Sequence, residues 1–241
     1  MISPSARLMR PPTARDSDEA NCSYMIAPSW TDNVLSAPIL GPTQETSVGY
    51  SDLYVQPINL GWHTPRTDYT AGLGLFAPTG RFDFDADDNL GMGMWSVELF
   101  GGTTVYFDAA QTWHFAIMGF YEMHSKKEGT DLRVGDIMTL EGGLGKSFMQ
   151  GALTAGLSYY AQWKVTDDYL GTDATLPEQF NPGRNRGFGI DPEITLPPMT
   201  KRSIFSFFNL RYFWETGNRS TVEGQTLVAS LTFPIPSAPI D

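Results

Sequence analysis

An alternation of apolar and polar residues with a period of two recurs along this chain in segments of ten residues or more, and no other feature restricts its fold as much. Residues 152–164 show it most clearly. Leu153, Ala155, Leu157, Tyr159, Ala161 and Trp163 fall on one side, and Thr154, Gly156, Ser158, Tyr160, Gln162 and Lys164 on the other. Successive side chains of an extended strand point to opposite faces, so such a segment has one greasy and one wet face. Residues 204–215 repeat the pattern, with Ile204, Phe208, Leu210, Tyr212 and Trp214 opposite Asn209, Arg211 and Glu215. Residues 225–233 do so again, with Leu227, Ala229, Leu231 and Phe233 opposite Thr226, Ser230 and Thr232. No run of eighteen apolar residues occurs, which excludes a helical membrane span and leaves a span built of strands open.

Strands of a soluble sandwich alternate too, so the pattern alone does not separate a protein core from lipid. Two further features favour lipid. Trp and Tyr gather near predicted strand ends, as Tyr54 and Trp62, Trp95 and Tyr106, Trp113 and Tyr121, and Tyr212 and Trp214, where amphipathic rings suit the headgroup level. The connections also alternate in length: short at 63–67, 108–111, 149–151 and 198–201, long at 79–90, 124–132, 166–185 and 216–223. A meander through a membrane produces that rhythm, with tight periplasmic turns and longer outside loops. It predicts an all-β, antiparallel up-and-down transmembrane β-barrel with strands near 50–62, 68–78, 91–106, 112–123, 133–147, 152–165, 186–196, 203–215 and 225–233. Because the first and last of these both descend, a tenth strand must bring the chain up. The segment near 30–40, despite Pro38, is the candidate.

Twenty-four Gly, 15 Phe, 10 Tyr and 6 Trp fit β architecture better than helix packing. A formal net charge of −11 without a basic stripe argues against a nucleic-acid partner. Cys22, the single cysteine, cannot form an internal disulfide. The first 28 residues are polar, contain Pro11 and Pro12, and lack the apolar core of a secretory signal, so residues 1–47 read as a divergent or disordered segment, with the barrel over 48–236 and a tail over 237–241.

Several constellations suggest chemistry and fall short of it. Gly142-Gly143-Leu144-Gly145-Lys146-Ser147 resembles the end of a phosphate-binding loop, but Leu140 stands where the first glycine belongs and no helix follows. Its glycines are expected instead to let neighbouring aromatic rings lie across a curved strand. Asp83, Asp85, Asp87, Asp88 and Asn89 resemble half of a calcium loop, yet Asp88 occupies the turn-glycine position and Met94 that of the bidentate glutamate. His63, His114 and His124 lie on separate segments with no ligand spacing. Neither catalytic residues, a metal site nor a cofactor is expected.

The strand registers assign the interior and the belt. Glu98, Glu122, Glu141, Lys164, Asp191, Glu193, Asn209, Arg211 and Glu215 are expected to project inward and line the lumen. Trp62, Trp95, Trp113, Leu157, Tyr159, Trp163, Leu210, Tyr212, Trp214 and Phe233 are expected to form the lipid-facing belt. The inward charges either line a hydrated, cation-leaning passage or knit a closed interior through ion pairs.

Five segments carry a family resemblance: GYSDLYVQPINLGWHTPRTDYTAGLGLFAPTGRFD, NLGMGMWSVELFGGTTVYFD, TLEGGLGKSF, ALTAGLSYYAQWKVTDD and IFSFFNLRYFWETGNRSTVEGQTLVASLTFPIP. From Val48 to Pro236 the chain resembles the outer-membrane family of meta-pathway phenol degradation proteins, also described as transporters. The resemblance implies a barrel in the outer membrane of a Gram-negative bacterium, loosely tied to the use of aromatic compounds, with no catalytic residues to carry over. Members have a signal peptide and additional strands at the N-terminus, which residues 1–47 do not resemble, so a truncated or mis-started chain is one expectation. The segment 224–233 looks like the terminal-strand signal read by the barrel-assembly machinery. The expected partners are outer-membrane lipid, that machinery and a small hydrophobic or aromatic ligand. The expected role is a passive channel; a non-conducting structural barrel and a soluble lipocalin-like binding barrel are the alternatives.

Overall fold

The computed structural model describes residues 21–27, 30–31, 34–37, 41–45, 49–84, 86, 88–149, 153–171, 184–196, 199–200, 203–204, 207–219 and 224–232. In chain order the strands are β1 (Asn21–Ala27), β2 (Trp30–Thr31), β3 (Val34–Ala37), β4 (Gly41–Glu45), β5 (Gly49–Tyr50), β6 (Leu53–His63), β7 (Thr67–Ala77) and β8 (Ser96–Tyr106). They continue with β9 (Trp113–His124), β10 (Ile137–Phe148), β11 (Leu153–Lys164), β12 (Arg186–Leu196), β13 (Met199–Thr200), β14 (Ser203–Ile204), β15 (Phe207–Arg219) and β16 (Gln225–Thr232). Ten of them form one antiparallel sheet in the order β1-β6-β7-β8-β9-β10-β11-β12-β15-β16. The others are short ladders inside connections, β2 with β5 and β3 with β4 before β6, and β13 with β14 before β15. Within the ten-stranded sheet, β6 to β12 and β15 run 11–13 residues, enough for a tilted strand to cross a bilayer's hydrocarbon core.

Registers are uninterrupted where the alternation is clean. β10 and β11 pair from Ile137↔Lys164 to Phe148↔Leu153 without a slip. β6 is different, because its pairing with β7 jumps between Val55 and Ile58. Pro57 lies inside that gap; it has no N–H to give a ladder, and a bulge accommodates it. The bulge also switches the parity of β6, so Tyr54 and Gln56 face inward before it and Asn59 after it.

The upward strand that the parity argument requires is β1, upstream of the expected 30–40 segment. Cys22, Tyr24 and Ile26 alternate there with Asn21, Ser23 and Met25, and β1 pairs along β6 from Asn21↔Gly61 to Ala27↔Tyr54. The polar run before residue 21 masks this short alternation in the sequence. Residues 30–31 and 34–37 belong to two separate side ladders, β2 with β5 and β3 with β4, while Pro38 lies outside the described residues.

The long connections share one rim of the sheet and are tied to one another. The Asp52 carboxylate accepts the N–H groups of Gly80 and Met92, at 3.1 and 2.7 Å, pinning both ends of the 78–95 loop to β6. Glu128 N–H donates to Gly93 C=O, and Ser125 N–H to Trp95 C=O. Arg133 and Tyr169 exchange two backbone hydrogen bonds, and Gly135 N–H donates to Asp168. The Lys126–Asp131 ion pair, 2.7 Å, raises the lysine above its ordinary value and lowers the aspartate. At the opposite rim the backbone N–H of Trp113, followed by Thr112, holds the Asp108 carboxyl below the usual carboxylate range.

Candidate functional site

Burial along the strands is inverted relative to a soluble protein. In β8, Ser96 and Glu98 are buried, with Glu98 4% exposed, while Leu99 between Glu98 and Phe100 is 49% exposed. The same holds around the sheet. Buried polar and charged side chains include Gln56, Thr139, Ser158, Lys164, Asp191, Asn209 and Arg211. Each of the ten strands meanwhile exposes at least one large apolar side chain, from Ile26 in β1, Trp62 in β6 and Tyr69 in β7 to Trp214 in β15 and Leu231 in β16. Soluble monomers do not carry a continuous apolar surface of that extent.

Pairing settles which residues share a face. Glu98 lies opposite Glu122 across β8 and β9, Glu141 opposite Tyr160, Ser158 opposite Asp191, Gly156 opposite Glu193, Glu193 opposite Arg211, and Thr195 opposite Asn209. Lys164 and Glu215 have the same parity as these. The nine residues read from the sequence as inward thus occupy one face, although they do not converge on one point. Of the predicted belt, Trp62, Trp95, Trp113, Leu157 and Trp214 are exposed on the other face. Tyr159, Trp163, Leu210 and Tyr212 share that face and are part-buried among neighbours, Trp163 edge-on to Phe188 and Tyr212 to Trp214. Phe233 lies outside the described residues.

Two polar clusters dominate the inner face. In the first, Arg211 Nε and Nη2 donate to both oxygens of Asp191, at 2.7 and 3.1 Å, and Asp191 is 0% exposed. Glu193 stands beside this fork, 3.9 Å from Arg211 Nε, and accepts from Ser158 Oγ and Asn209 Nδ2 at 2.8 and 2.6 Å. The guanidinium also lies over the Phe213 ring, 4.5 Å from its centroid. In the second, Tyr54 donates to Glu98 at 2.6 Å and accepts from Gln56 at 3.0 Å. Glu122 and Glu141, on the next two strands, have neither a hydrogen bond nor an ion pair among the described residues. The inner charge is therefore uneven: Arg211 and Lys164 are matched by Asp191 and Asp168, whereas Glu98, Glu122, Glu141 and Glu215 form no ion pair among the described residues.

Aromatic rings fill much of the remaining inner face by lying across glycines of the adjacent strand. A Cβ on Gly74 would sit 2.5 Å from the Tyr54 hydroxyl, one on Gly145 2.5 Å from His114 Nε2, and one on Gly72 or Gly189 would enter the ring of Phe100 or Tyr160. Gly145 thus has the role expected of the Gly-Lys-Ser segment, and Gly142 likewise lies under Tyr159 on the outer face. Gly189→Ala is expected to cost about 1–3 kcal/mol by overpacking, because Tyr160 must swing off its 2.7 Å hydrogen bond to Glu215. The urea midpoint of the refolded protein measures this, and an unchanged midpoint would refute the packing account.

Two tyrosines expected at strand-end headgroup positions face inward instead. Tyr54 and Tyr106 are buried with their hydroxyls on Glu98 and Asp68, since an inward carboxylate offers a phenol a stronger partner than a headgroup does. The acidic loop is braced rather than open. Asp88 pairs with Arg81, and Asn89 spans Asp83 and Ala86 as donor and acceptor, while Asp85 and Asp87 lie outside the described residues. The three histidines stay apart: His63 meets Asp68, His114 packs near Tyr106, and His124 bonds Ser96.

A family model described as "Putative MetA-pathway of phenol degradation" matches residues 23–231. The chain belongs to this family. No curated protein matches the chain. Among solved structures, an outer membrane channel from Pseudomonas putida F1 superposes on this phenol-degradation family member with a TM-score of 0.69 at 11% identity, covering 90% of this chain and 77% of the other. That likeness shows the fold, an antiparallel β-barrel. Sequence reasoning missed Gln56, Asp68, Tyr106 and Phe213 on the inner face of this family member. The signal for the last lay in its parity with Arg211 and Glu215.

Proposed function

We propose that this family member is an outer-membrane channel through which small aromatic or otherwise hydrophobic compounds pass passively, and that it performs no catalysis. The carrying observation is the inverted burial, because an apolar exterior on all ten strands around a polar interior is a stable arrangement only in a bilayer. The nine inward residues then line the lumen, and the exposed Trp, Tyr and Leu residues meet lipid. The family's description and the channel found among solved structures support the substrate class and the location. Inner rings such as Phe100 and Phe120, 6.1 Å apart, supply apolar wall beside the carboxylates. Export and insertion would use the barrel-assembly machinery through the last strand.

Planar-bilayer recording of the refolded full chain is expected to give discrete conductance steps, and vesicles containing it should take up a small phenol faster than empty ones. The Asp191–Arg211 fork and its neighbours favour one competing reading, a non-conducting scaffold whose interior is knitted shut. Silence at all voltages together with no uptake would select it. A soluble binding barrel would instead remain monodisperse without detergent.

A further inference from the structure

Lys146 is the one lysine that β10 turns outward. Its register partners are Trp113 on β9 and Ala155 on β11, both of the outer parity, and the inward positions beside it are Gly145 and Ser147. From β6 to β11 the outward positions described are otherwise uncharged. Apart from Lys146, the charges of these strands, Asp68, Glu98, Glu122, Glu141 and Lys164, all have inward parity. A base at mid-bilayer on such a face is strongly disfavoured, whereas near the rim it is tolerated because the flexible stem carries the ammonium toward water. Lys146 is two residues from the end of β10, at the short-turn rim.

Its surroundings are specific. Nζ lies 4.8 Å from the Trp113 ring centroid and 5.3 Å from that of Phe148, so two aromatic faces hold the ammonium at one height. No carboxylate forms an ion pair with it among the described residues. A cation fixed by rings at the level where acyl chains meet headgroups, and lacking a protein counter-charge, is complementary to a lipid phosphate.

We propose that Lys146, Trp113 and Phe148 bind the phosphodiester of an anionic phospholipid in the leaflet at the short-turn rim. The ammonium contacts the phosphate and the rings pack on the glycerol and upper acyl carbons. This inference rests on the membrane reading above and adds a defined lipid site to it.

The test is native mass spectrometry of the refolded full chain in micelles titrated with phosphatidylglycerol, and separately with inorganic phosphate. Lys146→Gln is expected to weaken the tightest phosphatidylglycerol binding by at least about fivefold, while Lys146→Arg stays within about twofold of the parent. Trp113→Leu, with the lysine intact, should weaken it by about two- to threefold, which keeps the proposal testable if the glutamine variant does not refold. Equal binding by the parent and either weakened variant overturns the site. Competition by inorganic phosphate at the lipid's own concentrations overturns it as well, in favour of a free-anion site. A parent that binds no lipid and stays monodisperse without detergent would instead overturn the membrane reading, a result distinct from loss of selectivity at Lys146.

Discussion

Arg211→Met is expected to destabilise the barrel by about 3–5 kcal/mol. Asp191 is 0% exposed and receives both donors of the Arg211 fork, so removing the guanidinium leaves a charge buried without compensation. The Glu193 carboxylate beside it adds a second negative charge to the same pocket. Pairing the change with Asp191→Leu removes the orphan, and the double variant is expected to recover most of the loss, since a packed apolar pair can replace a buried ion pair. Urea unfolding of the refolded proteins in micelles, followed by tryptophan fluorescence, measures both. A single variant within about 1 kcal/mol of the parent would mean that water reaches Asp191, and the inner face would then be far wetter than its burial indicates.

Leu157→Arg tests the outer face at its centre. Leu157 is the fifth of twelve residues in β11, 49% exposed, and lies opposite Leu144 and Pro192 in the two flanking strands. An arginine there faces hydrocarbon from mid-strand and is expected to cost about 2–4 kcal/mol of folding into vesicles, whereas Leu157→Phe should fold as the parent does. If the arginine variant folds into lipid with unchanged yield and stability, the exposed apolar surface does not meet a bilayer, and the channel proposal fails with it. Lys146, outward on the neighbouring strand, lies close to the rim, where a base costs far less than at mid-strand.

Much of this was readable in the sequence, because in a barrel wall the period of two records both structure and environment. The parity of Glu98, Glu141, Asp191 and Arg211 fixed their common face without any long-range information. What escaped was whatever depends on a break in the period or on a partner distant in sequence. Pro57 hides the bulge that reverses the faces of β6, so Tyr54 looked like a girdle residue when its hydroxyl in fact reaches Glu98, 44 positions on. β1, seven residues long, is too short for its alternation to stand out beside a polar run, whereas the longer apolar segment near 30–40 does stand out. The acidic run 83–89 could be excluded as a full calcium loop from Asp88 and Met94, but not recognised as a loop braced by Asn89. The tight spacing of glycines in β10 signalled ring packing correctly, since only a missing Cβ lets His114 lie where it does.

Every strand of the large sheet hydrogen-bonds to the strands that precede and follow it in the sheet's order, and that order follows the chain. Each completed hairpin therefore presents a ready template to the segment emerging next, and the wall can grow by addition at one margin, without a search among remote partners. The entropic cost of each step is that of closing one connection, which rises only slowly with its length. A chain built this way can be threaded into lipid hairpin by hairpin, its oily flank covered as it forms.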